Sequence, residues 1–179
     1  MRKVLFLCTG NSCRSQMAEA IVNARLGDVW QAVSAGTAPA GYVHPLAVRA
    51  LAEIGIEHTG RSKGVDEFRD ATFDLVVTVC DSAAEACPVW LPPSPTAATI
   101  GASGGRPAET PLSPAGWSAG LPAPGTQVQG SGGRRVHLAF PDPARAAGSE
   151  EEVMAAFRRV RDDMAQQVPA RLESVAAGR

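Results

Sequence analysis

Residues 3–20, KVLFLCTGNSCRSQMAEA, carry the clearest indication of the fold of this chain. Its first part, Lys3–Leu7, is short and apolar and runs into a glycine-containing loop, as is typical of a buried parallel strand. The loop extends from Cys8 to Arg14, and residues from about Arg14 to Leu26 then carry apolar side chains at helical spacing. A strand, a tight loop and a helix in this order predict the first unit of an α/β domain.

The rest of the chain continues the alternation of strands and helices. A second helix begins at His44-Pro45, with the proline at its favoured first position, and Gly55 stops it. Three further apolar runs are predicted to be strands: Val29–Val33, Asp74–Cys80 and Val136–Phe140. This pattern predicts an α/β fold with a central four-stranded parallel sheet that is flanked by helices on both faces.

The final helix has the strongest local signals. Ser149 and Glu152 have the spacing of a capping box. Pro169 is expected to kink or to end the helix, because proline has no backbone N–H. Between these points lies one continuous apolar stripe of Val153, Phe157, Val160 and Met164.

Composition narrows the class of protein. The chain has 179 residues, enough for one domain over 1–179, and 17 basic against 18 acidic residues. With its charges so balanced, the chain lacks the basic patch by which proteins bind nucleic acids or membrane surfaces. No stretch is long and apolar enough to span a membrane. We expect a cytoplasmic protein with reduced thiols, and a monomer.

Residues 92–135 differ in composition from the rest. About half of these positions are Pro, Gly or Ser. A connection of this length is far beyond the usual loop of an α/β unit. We predict a flexible insertion that interrupts the single domain; a lid or a docking arm is the functional alternative.

The loop that begins at Cys8 has the composition of an oxyanion cradle. Its backbone N–H groups and the helix N-terminus would converge on a tetrahedral anion, and the Arg14 guanidinium can grip two of the anion's oxygens. The same field stabilises the Cys8 thiolate as a nucleophile, and Ser15 can donate a hydrogen bond to that sulfur. The oxyanion-binding positions are Thr9, Gly10, Asn11, Ser12, Cys13 and Arg14.

Two further features lie outside the cradle. Asp142, in Phe140-Pro141-Asp142-Pro143, is either a turn residue or the general acid that protonates a leaving oxygen. Cys80 and Cys87 are seven residues apart. They are either two small buried side chains or a pair of thiols that a rearrangement can join.

The loop resembles that of low-molecular-weight protein tyrosine phosphatases. It is more similar still to that of the thioredoxin-coupled arsenate reductases built on the same fold, which also share both later cysteines and Pro88. The resemblance implies that the Cys8 thiolate attacks arsenate, that Asp142 protonates the departing oxygen and that Cys80 then attacks Cys8. Cys87 next attacks Cys80, and reduced thioredoxin resets the resulting disulfide. The resemblance thus implies arsenic detoxification, with residual phosphatase activity.

Two other functions remain open. A tyrosine or small-molecule phosphatase would use Cys8, Arg14 and Asp142 alone, although no tyrosine follows Asp142-Pro143, where those phosphatases often carry one. A module that senses oxyanions or redox state would signal through the disulfide without turnover.

No bound cofactor or metal is predicted. Some members of the resembled family bind potassium through positions that match Asn11, Glu19 and Ser34, together with an Asp for which this chain has Lys63 or Gly64. A lysine ammonium there would replace the cation, so a potassium requirement is doubtful. Cys13 is expected to pack under the loop; a protective Cys8–Cys13 disulfide is the alternative.

Overall fold

The computed structural model of the chain describes residues 1–86 and 134–178. Within these two segments the strands are β1 (Arg2–Cys8), β2 (Trp30–Gly36), β3 (Leu75–Thr78) and β4 (Arg134–His137). The helices are α1 (Arg14–Leu26), α2 (Pro45–Ala52), α3 (Asp81–Glu85) and α4 (Glu150–Ala176). Two short 3-10 turns lie at Val65–Phe68 and Pro143–Arg145.

The four strands form one parallel sheet in the order β2-β1-β3-β4. This confirms the predicted α/β class and the four-stranded parallel sheet. The chain passes from β1 to β2 on one side of β1, and then crosses to β3 on the other side. This change of direction opens a crevice at the carboxyl ends of β1 and β3. Cys8 ends β1 in this crevice, and Cys80 follows two residues after β3.

Helical segments lie on both faces of the sheet. Helices α1, α2 and α4 pack together on the face of Phe6, where Phe157 and Met164 of α4 are fully buried. On the opposite face, Phe68 of the first 3-10 turn lines a small pocket with Val33. The apolar residues of β1 are inaccessible to solvent, which explains why its sequence is continuously apolar rather than alternating.

Most predicted element boundaries are close to the observed ones, and that of α1 is identical. Strand β4 begins earlier than predicted, because the Arg134 N–H donates to the Asp74 carbonyl (3.0 Å) and extends the pairing with β3. Arg134 and Arg135 are therefore strand residues, not part of the predicted insertion 92–135. The rest of that segment lies outside the described residues, as does Cys87.

Helix α4 starts at the predicted capping box and passes through Pro169 to Ala176. Of the two outcomes expected at Pro169, a kink or an end of the helix, the end is therefore wrong. Proline cannot donate to the carbonyl of Ala165, four residues earlier, but Arg25 of α1 donates to that oxygen at 3.1 Å. A side chain from another helix thus supplies the hydrogen bond that proline removes. Among the described residues, no helix is long and apolar enough to cross a membrane.

Candidate active site

The loop from Cys8 to Arg14 folds around the Cys8 sulfur. Cys8 is 3% exposed, and its Sγ accepts the backbone N–H of Asn11 at 3.1 Å. Ser15 Oγ lies 2.9 Å from the same sulfur. Helix α1 begins at Arg14, so its N-terminus, which carries the positive end of the helix dipole, lies at the end of the loop. Two donors and a helix dipole therefore favour negative charge on Cys8.

Asn11 is the residue around which the loop is built. It is fully buried and has a φ of 47°, in the left-handed region that asparagine tolerates better than most residues. Its Nδ2 donates to Ser15 Oγ (2.9 Å) and to Ser34 Oγ (2.8 Å). Because the Ser15 oxygen accepts from Asn11, the Ser15 proton is left to donate to Cys8. The Asn11 side chain shapes the cradle and does not line it.

Residues 61–63, which are distant from the cradle in sequence, hold it in place by hydrogen bonds. The Lys63 N–H donates to Asn11 Oδ1 at 2.6 Å, and Ser62 Oγ donates to the Gly10 carbonyl at 3.1 Å. The end of β2 packs equally closely, since a Cβ on Gly36 would lie 2.5 Å from the Thr9 carbonyl oxygen. The loop is therefore held on several sides before any ligand binds.

Lys63 also carries the charge beside the cradle. Its Nζ lies 3.1 and 3.3 Å from the two carboxylate oxygens of Glu19, and each side chain is 13% exposed. Ser34 donates its hydroxyl proton to the same carboxylate. The ammonium group of Lys63 thus lies against the carboxylate of Glu19, which also accepts the Ser34 hydroxyl. In the described segments, no cluster of histidine, cysteine or acidic residues could hold a metal ion.

Arg14 connects the cradle with the loop that carries the candidate acid. Its Nη2 lies 2.9 Å from Asp142 Oδ2, and its Nη1 donates to the Phe140 carbonyl at 3.3 Å. Asp142 Oδ1 also accepts the Ala144 N–H and so caps the second 3-10 turn. The guanidinium and the carboxyl group are therefore both directed at the space above Cys8.

That space is a cavity of about 510 Å³. Of the predicted site residues, it brings together Cys8, Thr9, Gly10, Ser12, Cys13, Arg14, Cys80 and Asp142. Asn11 and Ser15 lie beneath the cavity and support it. Cys80 is 5% exposed, and its Sγ is 3.6 Å from Thr9 Oγ1 of the cradle. A second thiol therefore lines the same cavity as Cys8.

Cys13 differs from Cys8 in its surroundings. It is 4% exposed, and its nearest polar contact is Ser12 Oγ at 3.6 Å. Burial raises the pKa of the Cys13 thiol to about 11, so it stays protonated at neutral pH. The loop thus holds two different thiols: the sulfur of Cys8 has hydrogen-bond donors, and that of Cys13 has no strong donor.

A family model described as low-molecular-weight phosphotyrosine protein phosphatase matches residues 3–95, just over half of the chain. The chain belongs to this family. It is 39% identical to a protein named arsenate reductase from Halalkalibacterium halodurans, over 92% of this chain and 91% of that one. The predicted superfamily, with its arsenate reductase branch, is confirmed, and so is the prediction that the chain is an enzyme.

Solved structures of this phosphatase family share the fold. One, titled an arsenate reductase in the phosphate binding state, has a TM-score of 0.61 and 22% identity, with 97% of this chain and 98% of that chain covered. A low-molecular-weight protein tyrosine phosphatase from T. tengcongensis has a TM-score of 0.62 and 20% identity, with 97% and 99% covered. The reductase and the phosphatase are equally similar in backbone, so the fold does not separate the two activities.

Sequence reasoning missed one part of the site. Gln16 and His58 bond to each other and lie behind the cradle, and neither had been singled out. His58 does not lie at the spacing of any known motif, and Gln16 has the pattern of an ordinary polar residue in the first turn of a helix. Their relation to the cradle depends on a contact across 42 residues, which no local pattern indicates.

Proposed function

We propose that this protein reduces arsenate to arsenite, with Cys8 as the nucleophile and a disulfide relay through Cys80 and Cys87. The observation that carries the proposal is that Cys80 lines the same cavity as Cys8, Arg14 and Asp142. Hydrolysis of a phosphate ester needs one thiol, whereas a two-electron reduction of the anion needs a second. The high identity to proteins named arsenate reductase over most of the chain supports the same activity.

In the first step the cradle binds the tetrahedral anion, and the Cys8 thiolate attacks arsenic(V). The backbone N–H groups of Gly10 to Arg14 and the Arg14 guanidinium hold the oxygens. Asp142 gives its proton to the oxygen that leaves as water. The product is a covalent bond between Cys8 and arsenic, still in the +5 state.

In the second step the Cys80 thiolate attacks the Cys8 sulfur. The electron pair of the sulfur–arsenic bond passes to arsenic, which leaves as arsenite, and a Cys8–Cys80 disulfide forms. Cys87 then attacks Cys80 and frees Cys8, which leaves a Cys80–Cys87 disulfide. Two thiols of an external reductant restore both cysteines by exchange, and thioredoxin is the proposed reductant.

A phosphatase that uses Cys8, Arg14 and Asp142 is the second candidate, and the fold it shares with the phosphatases supports it. The cavity favours the reductase. Of the described residues that line it, Phe140 is the one aromatic, and it is 5% exposed. Among the described residues, a phosphotyrosine ring would find little apolar surface there, whereas a small inorganic oxyanion needs none. Slow phosphatase turnover is expected as a side activity.

Lys63 makes a potassium ion unnecessary, because its ammonium already neutralises Glu19. Free thiols at Cys8, Cys13 and Cys80 suit the reducing cytoplasm. The chain is also proposed to act as a monomer. It is proposed to form one domain over 1–179, because β3 and β4, on either side of the insertion, pair in one sheet.

The test is NADPH consumption with thioredoxin, thioredoxin reductase and arsenate. We expect wild-type turnover and its loss in Cys8→Ser, Cys80→Ser and Cys87→Ser. Cys87→Ser should still release one arsenite per enzyme in a single turnover, because Cys8 and Cys80 remain. Cys13→Ser tests the specificity of the relay, because it keeps the backbone N–H that the cradle offers to the anion and removes a thiol that the relay does not use. Steady hydrolysis of p-nitrophenyl phosphate without arsenate-dependent oxidation would establish the phosphatase instead.

A further inference from the structure

Gln16 lies directly behind the cradle and is completely buried. Its Nε2 donates to Asn11 Oδ1 (2.9 Å) and to the Arg61 carbonyl (2.8 Å), and it also lies 3.2 Å from the Asn11 carbonyl. One side-chain amide therefore connects the strained residue of the cradle with the segment that clamps it. No group of Gln16 reaches the cavity.

The orientation of this amide is fixed by its partners. Three carbonyl oxygens surround Nε2, so the nitrogen must lie on that side and Oε1 must face His58. His58 Nε2 lies 2.7 Å from Oε1 and therefore donates to it. Burial lowers the pKa of His58, so the ring is neutral at pH 7 and carries its proton on Nε2.

Packing leaves this arrangement no room to relax. A Cβ on Gly60 would overlap both His58 Nε2 and Gln16 Oε1, so the backbone at this position closes over the pair. Without Gln16, Asn11 Oδ1 would keep one donor, the Lys63 N–H, and the carbonyl of Asn11 would be buried without its partner. Asn11 would then be free to leave its left-handed conformation, which the surrounding bonds now impose.

We propose that Gln16, oriented by His58, is a positioning residue for the nucleophile. By holding Asn11 in place, it keeps the Asn11 N–H on the Cys8 sulfur and the Asn11 Nδ2 on Ser15, which bonds the same sulfur. A series of hydrogen bonds, from His58 through Gln16 and Asn11 to Cys8, thus sets the reactivity of the thiol from outside the cavity. The proposal deepens the proposed function and rests on Cys8 as its nucleophile.

The test compares Gln16→Met with Asn23→Ala. Methionine keeps the length of the side chain and removes all of its hydrogen bonds. Asn23 is the matched control, because it lies on the same helix and its side chain bonds the backbone of Ala32 twice, far from the cradle. The readouts are the rate of Cys8 alkylation by iodoacetamide across pH, kcat and KM for arsenate, and the urea midpoint of unfolding. Both Cys8 and Cys13 fall in tryptic peptide 4–14, so fragmentation of that peptide locates the label.

We expect Gln16→Met to slow Cys8 alkylation at neutral pH and to lower kcat, each by about tenfold, the loss that one hydrogen bond to a charged group produces. Its alkylation profile should move to higher pH, and KM should change less than kcat. Asn23→Ala should lower the urea midpoint without moving the profile. Equal effects of the two variants, or an unchanged profile in folded Gln16→Met, would overturn the proposal.

A second pair of variants covers the case in which Gln16→Met does not fold. His58→Leu removes the donor to Oε1, and His58→Gln restores an N–H at a similar reach. We expect slower alkylation in His58→Leu and recovery in His58→Gln; the same rate in both would contradict the proposal. Alkylation needs no arsenate, so its outcome is separate from that of the proposed function, which fails if Cys8→Ser retains arsenate reduction.

Discussion

Arg14 and Asp142 form an ion pair above Cys8, with Nη2 2.9 Å from Oδ2. Both side chains are largely shielded from solvent, at 13% and 27% exposed. The group that is proposed to bind the anion therefore holds the group that is proposed to protonate it. Arg14 has further N–H groups that can bond an oxyanion, so an anion held by Arg14 would lie beside the carboxyl group of Asp142. Binding and proton transfer are thereby coupled through one guanidinium.

Asp142→Asn separates the two roles. We expect kcat for arsenate to fall by about 10²- to 10⁴-fold, because the leaving oxygen loses its acid. Binding of phosphate should be retained or tighter, since Arg14 no longer faces a competing carboxylate. Steady-state kinetics and calorimetric titration with phosphate measure the two effects. Asp66→Asn, which removes an exposed carboxylate from a surface ion pair, is the control, and an equal loss in both variants would contradict this role of Asp142.

The features that were predicted correctly from the sequence are those whose pattern lies within a short stretch of the chain. The apolar run of β1, the loop from Cys8 to Arg14 and the capping box of α4 each lie within a few consecutive residues. The rest depends on contacts between distant segments. Lys63 N–H reaches Asn11 across 52 residues, and Gln16 meets His58 across 42. Neither contact has a periodicity or a characteristic spacing, so the support of the cradle emerged only from the folded chain.

Lys63→Met should convert the protein into one that responds to potassium. The variant leaves the carboxylate of Glu19, whose side chain is 13% exposed, beside uncharged methionine, which should lower the free energy of unfolding by about 3 kcal/mol. Potassium ions at about 0.1 M should restore part of this loss by binding the oxygens of Glu19 and Ser34. Choline at equal ionic strength should not.

Thermal unfolding of the variant and the wild type in the two salts measures this effect. The wild type should show the same midpoint in both, because Lys63 already neutralises Glu19. Lys3→Met, which removes an exposed ammonium, is the matched control. A potassium-specific rise in the midpoint of the wild type would show that Lys63 does not replace the cation.

Cys13 should make stability depend on alkaline pH. Its thiol has a pKa of about 11 in the folded protein against 9.0 for the free side chain, because burial disfavours the thiolate. Between these values the unfolded chain releases the proton and the folded chain keeps it, so the free energy of unfolding falls as pH rises from 9 to 11. Cys13→Ser should lose stability less steeply over this range. Urea unfolding at several pH values measures the difference, and identical slopes would contradict the assignment.

Arg25 and Pro169 should be energetically coupled, because one supplies the hydrogen bond that the other removes. Arg25→Met leaves the Ala165 carbonyl without its donor and should cost about 1 kcal/mol of stability. In a Pro169→Ala background, the new N–H of residue 169 can bond the same carbonyl, so Arg25→Met should cost clearly less. A double-mutant cycle by urea unfolding measures the coupling, which we expect at about 0.5 to 1 kcal/mol. Arg159→Met, at an exposed position of α4, should cost the same in both backgrounds. If Arg25→Met behaved like Arg159→Met, the passage of α4 through Pro169 would need another explanation, because the carbonyl of Ala165 would then be satisfied without Arg25.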